Sequence, residues 1–446
     1  MIKEIKNEVA QPITMLYQKC MEESKIPDEW RMTHITPIYK KGIRADPGNY
    51  RPVNLTSGMC KGLETLVKED SVEFIEKNGL MKNSQHGFRR GRSTQTNLIE
   101  FLEKTTKWHD EGRAFDVIYF DFSKAFDKVC HKRLLIKLEA IGIKGELKDF
   151  IDDWLKGRKQ RVVVDGEMSD WKDVISSVLQ GSVLGGTLFN IFIDDIDEII
   201  EAFLRKFADD TKITRIVETE EDAEAMQKDI DAMCEWAKEW AMQFNAAKCK
   251  VMHLGRSNKR HEYRMEGERI AVTEEERDLG VIIGEDLKPQ AQCESAAKKA
   301  NAALGMILRS SHYRKKSILV QLYKVFVRPK MEFAVAAWSP WLEKDAEELE
   351  KVQRRAVRAM TDVRGDTYEE KLRDAGLTTL KERRIRGDLI EALKSIKGFN
   401  NINRDKWFDL RSREESKTDE GELHNRRRSG SKEEGRPIYA ENQERN

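Results

Sequence analysis

Aspartates at the ends of two apolar segments constrain this chain of 446 residues more than any other feature. Residues 114–122 alternate in polarity and are rich in aromatic and β-branched side chains, which predicts a strand leading into Asp121. A hairpin of two further strands is predicted over 203–217, with Asp209 and Asp210 at its tip. If these strands are neighbours in one sheet, the three carboxylates converge at one end of it.

Three carboxylates at one place repel one another, so such a cluster is stable mainly when cations bind it. Hard oxygen ligands in that number suit Mg²⁺, and two such ions about 3.5–4 Å apart serve in-line phosphoryl transfer. A purely structural role is an alternative for each of these aspartates. An Asp-Asp pair in a hairpin is usually only a turn, and an aspartate that ends a strand is often a helix cap.

A glycine-rich stretch is a third candidate element. Gln180 and Gly181 open it, and Gly185 and Gly186 follow at the start of a predicted helix. Glycine lets a backbone approach a ligand closely. A flexible turn explains the same composition, so the stretch alone does not decide between a ligand-binding loop and a turn.

Charge is segregated along the chain although its total is balanced, with 80 Lys and Arg against 79 Asp and Glu. Residues 31–92 hold twelve basic and six acidic residues, and residues 295–331 hold nine basic and no acidic ones. Two basic regions around an acidic middle suit a protein that binds a phosphate backbone on both sides. The alternative is that these runs are solvated helix faces.

Composition excludes several classes of protein. The mean hydropathy is −0.67, and no stretch approaches the ~20 apolar residues of a membrane span, so we expect no membrane partner. The six cysteines contain no Cys-x-x-Cys pair, which is typical of reduced intracellular thiols. The first residues carry charges of both signs and no apolar core, which argues against a signal peptide.

Hydrophobic periodicity predicts a mixed chain of two or three domains. Residues 280–400 are expected to be mostly helical, and residues 401–446 hold 22 charges, eleven of each sign, which predicts a disordered tail. Other helices are predicted over 1–30, 63–75, 94–109, 132–140, 147–156, 183–200 and 226–244, with a strand over 34–39 and a hairpin around 160–166.

Taken in order, the motifs of this chain resemble those of reverse transcriptases of LINE-type (non-LTR) retrotransposons, of the jockey-like kind. The resemblance extends from about residue 5 to about residue 400 and is highly specific as an ordered series. The segments that carry it are Asn49-Tyr50-Arg51-Pro52-Val53, Gln85-His86-Gly87-Phe88-Arg89-Arg90-Gly91-Arg92-Ser93, Asp121-Phe122-Ser123-Lys124-Ala125-Phe126-Asp127, Gln180-Gly181-Ser182, Phe207-Ala208-Asp209-Asp210, Phe244-Asn245-Ala246-Ala247-Lys248-Cys249-Lys250 and Asp278-Leu279-Gly280-Val281.

The resemblance implies an α+β fold of the right-hand polymerase type, in which helices back an antiparallel palm sheet and the C-terminal part is mostly helical. The reverse transcriptase domain would cover about 25–285. The implied divisions are an N-terminal helix and fingers over 1–113, a palm over 114–265, a helical thumb or connection over 266–400 and the tail over 401–446.

The resemblance also assigns roles to single residues. Asp121, Asp209 and Asp210, with the backbone carbonyl of Phe122, match the ligands of two Mg²⁺ ions, for which Mn²⁺ can substitute. Phe126 matches a steric gate that excludes the 2′-hydroxyl of a ribonucleotide. The remaining assignments are Arg51, Arg89, Gln180 and Gly181 near the incoming nucleotide, Lys248 as proton donor to the leaving pyrophosphate, and Lys298, Lys299 and Arg309 on an RNA–DNA hybrid.

Two of these assignments have an equal structural alternative. A surface lysine at a helix end explains Lys248 as well as a proton donor does, and a structural ion pair explains Arg51 as well as a phosphate contact.

The expected function is RNA-directed DNA polymerisation, in which dNTPs extend a DNA primer on an RNA template. A catalytically weak, truncated relic that still binds nucleic acid is the alternative, and RNA-directed RNA polymerisation is disfavoured by Phe126. Leu179 and Gly186 stand where the family usually has proline, which loosens the loop between them. No endonuclease segment is recognised, so a separate nuclease is an expected partner, and the family implies residence in the nucleus.

Overall fold

The computed structural model describes residues 5–40 and 42–402. Within them, helices α1 to α16 span Lys6–Glu22, Gly58–Lys77, Thr94–Asp110, Ala125–Lys128, His131–Ala140, Gly145–Leu155, Gly185–Phe192, Ile196–Ile199, Glu220–Glu239, Gln290–Ser310, Lys316–Leu322, Pro329–Glu332, Val335–Trp338, Glu343–Arg358, Tyr368–Asp374 and Leu380–Ile396. Strands β1 to β14 span Met32–Tyr39, Tyr50–Leu55, Phe115–Phe120, Lys159–Val164, Glu167–Met168, Lys172–Asp173, Phe203–Phe207, Asp210–Ile216, Lys250–Leu254, Arg264–Met265, Glu268–Arg269, Ala271–Val272, Glu275–Asp278 and Val281–Gly284.

The chain forms two compact units. The first lies within Met1–Arg89 and Glu111–Thr273, and the second within Arg90–Asp110 and Glu274–Asn446. No helix in the described part of the chain is both long and apolar enough to cross a membrane.

A five-stranded sheet organises the first unit, with strand order β12-β9-β3-β8-β7. Its pairs are antiparallel apart from β12 and β9, which run parallel. All six residues of the central strand β3 are buried, and Met226, Ile230 and Met233 of α9 are fully buried in the same hydrophobic core. The apolar residues of β3 therefore fix it at the middle of the sheet, covered by helices.

One buried carboxylate of β3 is fully satisfied by hydrogen bonds. Asp116 Oδ1 lies 2.7 Å from His253 Nδ1 and accepts a hydrogen bond from Asn258 at 2.8 Å, while its Oδ2 accepts one from the Tyr263 hydroxyl at 2.6 Å. A buried charge is stable only with such partners. Asp116 thus ties β3 to β9 and to the segment that follows β9.

A second sheet of the first unit has the order β2-β1-β4-β5, and β6 also pairs with β4. The strands β1 and β2 form an antiparallel pair in which Ile38 faces Arg51. The predicted turn at Asp165-Gly166 is confirmed as the connection between β4 and β5. This sheet places the polar end of the β1–β2 pair, including Arg51, at the protein surface.

The second unit is mostly helical, as the periodicity predicted. Its long helix α10 packs on α14 through small side chains, of which Ala296, Ala300 and Ala303 are buried. Small residues let two helix backbones approach closely. The hairpin of β13 and β14 is bound to α10, since the Ile282 amide donates to Gln292 Oε1 at 3.0 Å.

Two predicted helices have different bounds in the structure. The helix predicted over 183–200 is interrupted, with α7 ending at Phe192 and α8 starting at Ile196. Asp194 and Asp195 lie in the break, where their carboxylates accept hydrogen bonds from Lys82 N and Lys137 Nζ. The helix predicted over 1–30 ends at Glu22. The predicted disordered tail lies outside the described residues beyond position 402.

Candidate active site

The three aspartates lie at one end of the central strand pair. Phe120, the last residue of β3, pairs with Thr211 of β8, so Asp121, which follows Phe120, and Asp210, which precedes Thr211, lie at the same end of the strand pair. Asp209 occupies the two-residue turn between β7 and β8. Burial raises the pKa of the Asp209 carboxyl, and the nearby charge of Asp121 raises it further. The register therefore places Asp121 and Asp210 at the same end of the strand pair, and the electrostatics show that Asp121 lies near Asp209.

The carboxylates at this end of the sheet are donors of the type that a hard divalent cation prefers. In the described ranges, no group of three or more His, Cys, Asp and Glu side chains is arranged so that it could hold a metal ion. Asp209 is a half-buried acid near a second carboxylate, Asp121, and carboxylate oxygens are the ligands that Mg²⁺ prefers. Close carboxylates of this kind are stabilised by a bound cation, so the residues present suit the ions expected from the sequence.

The backbone carbonyl of Phe122 faces away from the segment around Phe244, with which Phe122 forms a bridge. Phe122 forms a bridge with Phe244 in which the Ser123 amide donates to Gln243 O at 2.8 Å and the Asn245 amide donates to Asp121 O at 2.7 Å. In this pattern the N–H and C=O of the bridged residue itself point to the opposite side. For Phe122 that is the side of β3 on which β8 runs.

Lys248 lies beside the first aspartate. Its Nζ is 3.4 Å from Asp121 Oδ1, and the two side chains are 56% and 41% exposed. An ion pair this exposed contributes little to stability. Lys248 is therefore placed at the carboxylates without being fixed there by packing.

A buried glutamine clamps the hairpin that carries Asp209, and sequence reasoning missed this role. Gln85 Oε1 accepts hydrogen bonds from Gly87 N at 2.8 Å and from Ala208 N at 2.9 Å. His86 N also donates to Lys206 O at 2.9 Å, so this segment runs alongside β7. In the sequence, Gln85-His86-Gly87 carries a signal only as part of a family motif.

Gly87 is required by the closeness of this contact. A Cβ atom at position 87 would lie 2.5 Å from Ala208 N, a backbone atom that has no freedom to move aside. Ala208 itself has φ of 53°, a strained conformation for a residue with a side chain. The hairpin geometry is thus set by its neighbours and not by turn propensity alone.

The predicted steric gate lies in an aromatic cluster. The ring of Phe126 stacks on Phe189 of α7 with centroids 4.4 Å apart, and its other neighbour, Phe88, meets it edge-on at 6.2 Å. Phe88 occupies the space over Gly186, where a Cβ would lie 2.5 Å from its ring. These two contacts restrain the ring of Phe126, and Phe88 accounts for the absence of a side chain at position 186.

The loop with Gln180 and Gly181 is bound to β2. Asn54 N donates to Gln180 O at 2.9 Å, and Gly181 has φ of 111° with its Cα so close to Asn54 that a Cβ would lie 2.7 Å from Asn54 O. Only glycine fits both restrictions. The loop is therefore held in a defined conformation.

The two predicted arginines differ in their surroundings. Arg51 is exposed, and its charge and that of Lys40 partly oppose the rise that burial causes in the pKa of Asp209, so both cations lie near this carboxylate. Sequence reasoning missed Lys40. Arg89 instead forms a bidentate pair with Glu76 at 3.0 and 2.9 Å and donates to Lys82 O. Its side chain is only 7% exposed, so contact with a nucleotide requires Arg89 to leave Glu76.

The predicted nucleic-acid contacts lie in the second unit. Lys298, Lys299 and Arg309 are exposed on α10. Burial lowers the pKa of Lys299, and the positive charges of Arg277 and Lys330 lower it further. Cations that gather in this way suit a polyanion such as a phosphate backbone.

Comparison with known proteins gives a consistent picture. The family described as "Reverse transcriptase (RNA-dependent DNA polymerase)" matches residues 38–301. The "Probable RNA-directed DNA polymerase from transposon X-element" of Drosophila melanogaster is 24% identical over 361 residues, which are 78% of this chain and 40% of that protein. The "RNA-directed DNA polymerase from mobile element jockey" of Drosophila funebris is 26% identical over 343 residues, 73% of this chain and 37% of that protein.

The chain therefore spans about two-fifths of the length of the curated relatives it matches. Among solved structures, telomerase from Candida tropicalis in complex with a fragment of telomeric RNA aligns with 13% identity and a TM-score of 0.43, over 90% of this chain and 62% of that chain.

Proposed function

Since the chain belongs to the reverse transcriptase family, with the LINE-type affiliation and the right-hand polymerase fold that its motifs predicted, we propose that it extends a DNA primer with dNTPs on an RNA template. The observation that carries this proposal is the meeting of Asp121 with Asp209 and Asp210 at the end of the β3–β8 pair. A relic that only binds nucleic acid is not favoured, because the carboxylates and the gate residue Phe126 are all present.

Divalent ions would be held by Asp121, Asp209 and Asp210 and by the Phe122 carbonyl. When bound, two Mg²⁺ or Mn²⁺ ions activate the primer hydroxyl and stabilise charge on the leaving pyrophosphate. Lys248 Nζ, which already lies 3.4 Å from Asp121 Oδ1, donates the proton that the leaving group takes up.

The remaining residues bind and orient the substrates. The restrained ring of Phe126 excludes a 2′-hydroxyl, and the exposed guanidinium of Arg51 suits bidentate contact with the triphosphate. Arg89 joins that contact only after leaving Glu76. The other proposed contacts are Gln180 and Gly181 on the incoming nucleotide and template, and Lys298, Lys299 and Arg309 on the backbone of the RNA–DNA hybrid.

The direct test measures incorporation of labelled dTTP on poly(rA) primed with oligo(dT). We expect incorporation with Mg²⁺ or Mn²⁺ and none after chelation with EDTA. A folded protein that binds the primed template but incorporates nothing with either ion would contradict the proposal and support the relic.

A second prediction concerns the clamp on the hairpin. Gly87→Ala is expected to lower kcat about 100-fold, because the added Cβ displaces the backbone at Ala208 and with it Asp209. The matched control is Gly58→Ala, where a Cβ meets no atom within 4 Å, and this variant should retain full activity. Equal activities of the two variants at equal thermal stability would show that the clamp has no role in catalysis.

A further inference from the structure

A buried carboxylate outside the aspartate cluster holds the loop that precedes α7. Glu64 of α2 has no exposed surface. Its Oε2 accepts hydrogen bonds from Val183 N at 2.6 Å and from Leu184 N at 3.4 Å. Its Oε1 accepts from Trp154 Nε1 at 3.1 Å and from Cys60 Sγ at 3.3 Å. Every contact is a donor directed at a carboxylate oxygen, which is the pattern of an ionised carboxylate.

Burying a charge costs free energy, so the groups that donate hydrogen bonds to Glu64 indicate which part of the structure it stabilises. The amides of residues 183 and 184 lie just before the first residue of α7, Gly185, and the N-cap residue of this helix provides no side-chain cap. A carboxylate at a helix N-terminus satisfies amides that have no partner within the helix and interacts favourably with the helix dipole. Ser182 Oγ accepts from Gly185 N at 3.0 Å, and Glu64 provides from α2 the acceptor for the two amides before it.

The segment held in this way leads to two parts of the proposed nucleotide site. Upstream of the Glu64 contact lie Gln180 and Gly181, and downstream α7 carries Phe189, on which the gate ring of Phe126 stacks. Asn54 fixes the upstream end through Gln180 O. With Leu179 and Gly186 in place of proline, the covalent chain provides little rigidity here, so the restraint comes from tertiary hydrogen bonds.

We propose that Glu64 is a positioning residue for nucleotide binding, which holds the loop 180–184 and the start of α7 in the conformation that receives the dNTP. The expected effect on nucleotide binding rests on the proposed polymerase function. The expected effect on the conformation of the loop does not. Arg158, which is also buried, lies nearby: burial lowers the pKa of its guanidinium, and Cys60 and the charge of Glu64 oppose that lowering.

The test compares Glu64→Gln, Glu64→Asp and Ser71→Ala. Glutamine keeps the volume of the side chain, but in either orientation of the amide its NH₂ meets an N–H donor, from Trp154 or from Val183. Aspartate keeps the charge on a shorter side chain. Ser71 is the matched control, since it is buried in the same helix and donates only to Val67 O.

Hydrogen exchange provides a readout that does not depend on activity. In Glu64→Gln we expect the amides of 180–186 to exchange at least about 10-fold faster, with those of β3 unchanged. Unchanged exchange in this loop overturns the proposal, whether or not the unmutated protein polymerises. If Glu64→Gln does not fold, the same comparison is made with Glu64→Asp, for which an intermediate increase is expected.

Kinetics then distinguish positioning from general stability. We expect the KM for dTTP to rise about 10-fold in Glu64→Gln, with kcat within about threefold and hybrid affinity unchanged, partial recovery in Glu64→Asp and no effect in Ser71→Ala. A fall in thermal stability with an unchanged KM would overturn the positioning role. Absence of incorporation by the unmutated protein is a failure of the proposed function alone, because the exchange experiment still decides the role of Glu64.

Discussion

Asp209→Asn is expected to reduce dTTP incorporation at least about 1,000-fold, which corresponds to loss of several kcal/mol of electrostatic stabilisation in the transition state. The amide keeps the shape of the side chain but removes the charge that a cation needs. Affinity for a primed RNA template should change less than about twofold, since the cations proposed to bind the hybrid lie on α10. Primer extension and filter binding on the same preparation measure both quantities.

Asp165→Asn is the matched control. Asp165 also lies in a two-residue hairpin turn, between β4 and β5, and has φ of 50°, a conformation that asparagine adopts readily. This variant should retain full activity. Comparable losses in both variants would attribute the effect of Asp209→Asn to the turn and not to the carboxylate.

The second large effect is expected in nucleotide selection. Phe126→Val should raise the use of rUTP relative to dTTP roughly 100-fold, because the smaller side chain removes the clash with a 2′-hydroxyl. The structural basis is that Phe189 stacks on the ring of Phe126 at 4.4 Å, which prevents the ring from yielding to a ribonucleotide. The measured quantity is the ratio of kcat/KM for the two nucleotides on the same primed RNA.

Phe126→Tyr keeps the bulk of the ring and should keep the exclusion of rUTP. If valine and tyrosine give the same nucleotide ratio, Phe126 is not the gate, and its aromatic contacts serve only packing of α7.

The local sequence pattern was sufficient to predict the strands that carry the aspartates. The strand predicted over 114–122 is β3, and the hairpin predicted over 203–217 is the pair of β7 and β8. Both predictions succeeded because apolar β-branched and aromatic residues in a short run favour a buried strand. The sequence alone does not predict that Asp121 lies near the hairpin, since the register of a sheet depends on contacts between distant segments.

The restraints around the site could not be predicted from the local sequence. Gln85 reaches Ala208 across 123 residues, and Glu64 reaches Val183 across 119 residues. Neither residue lies in a distinctive local sequence pattern, because each acts on a hydrogen-bond donor that is distant in sequence and that only the fold brings near it. For Arg89 the local sequence suggests a role that the structure does not show. Its residue type suggests phosphate binding, whereas the structure pairs it with Glu76.

The division of the chain between the two units has a consequence for synthesis. The second unit includes α3, whose Leu98 and Phe101 are fully buried and which packs on α13, although most of that unit begins only at Glu274. At about 5–20 residues per second, a ribosome needs roughly ten to thirty seconds to proceed from the end of α3 to that point. During this time the part of the second unit that begins at Glu274 has not been synthesised. No single cut in the gene separates the two units intact, because α3 lies within the sequence of the first unit.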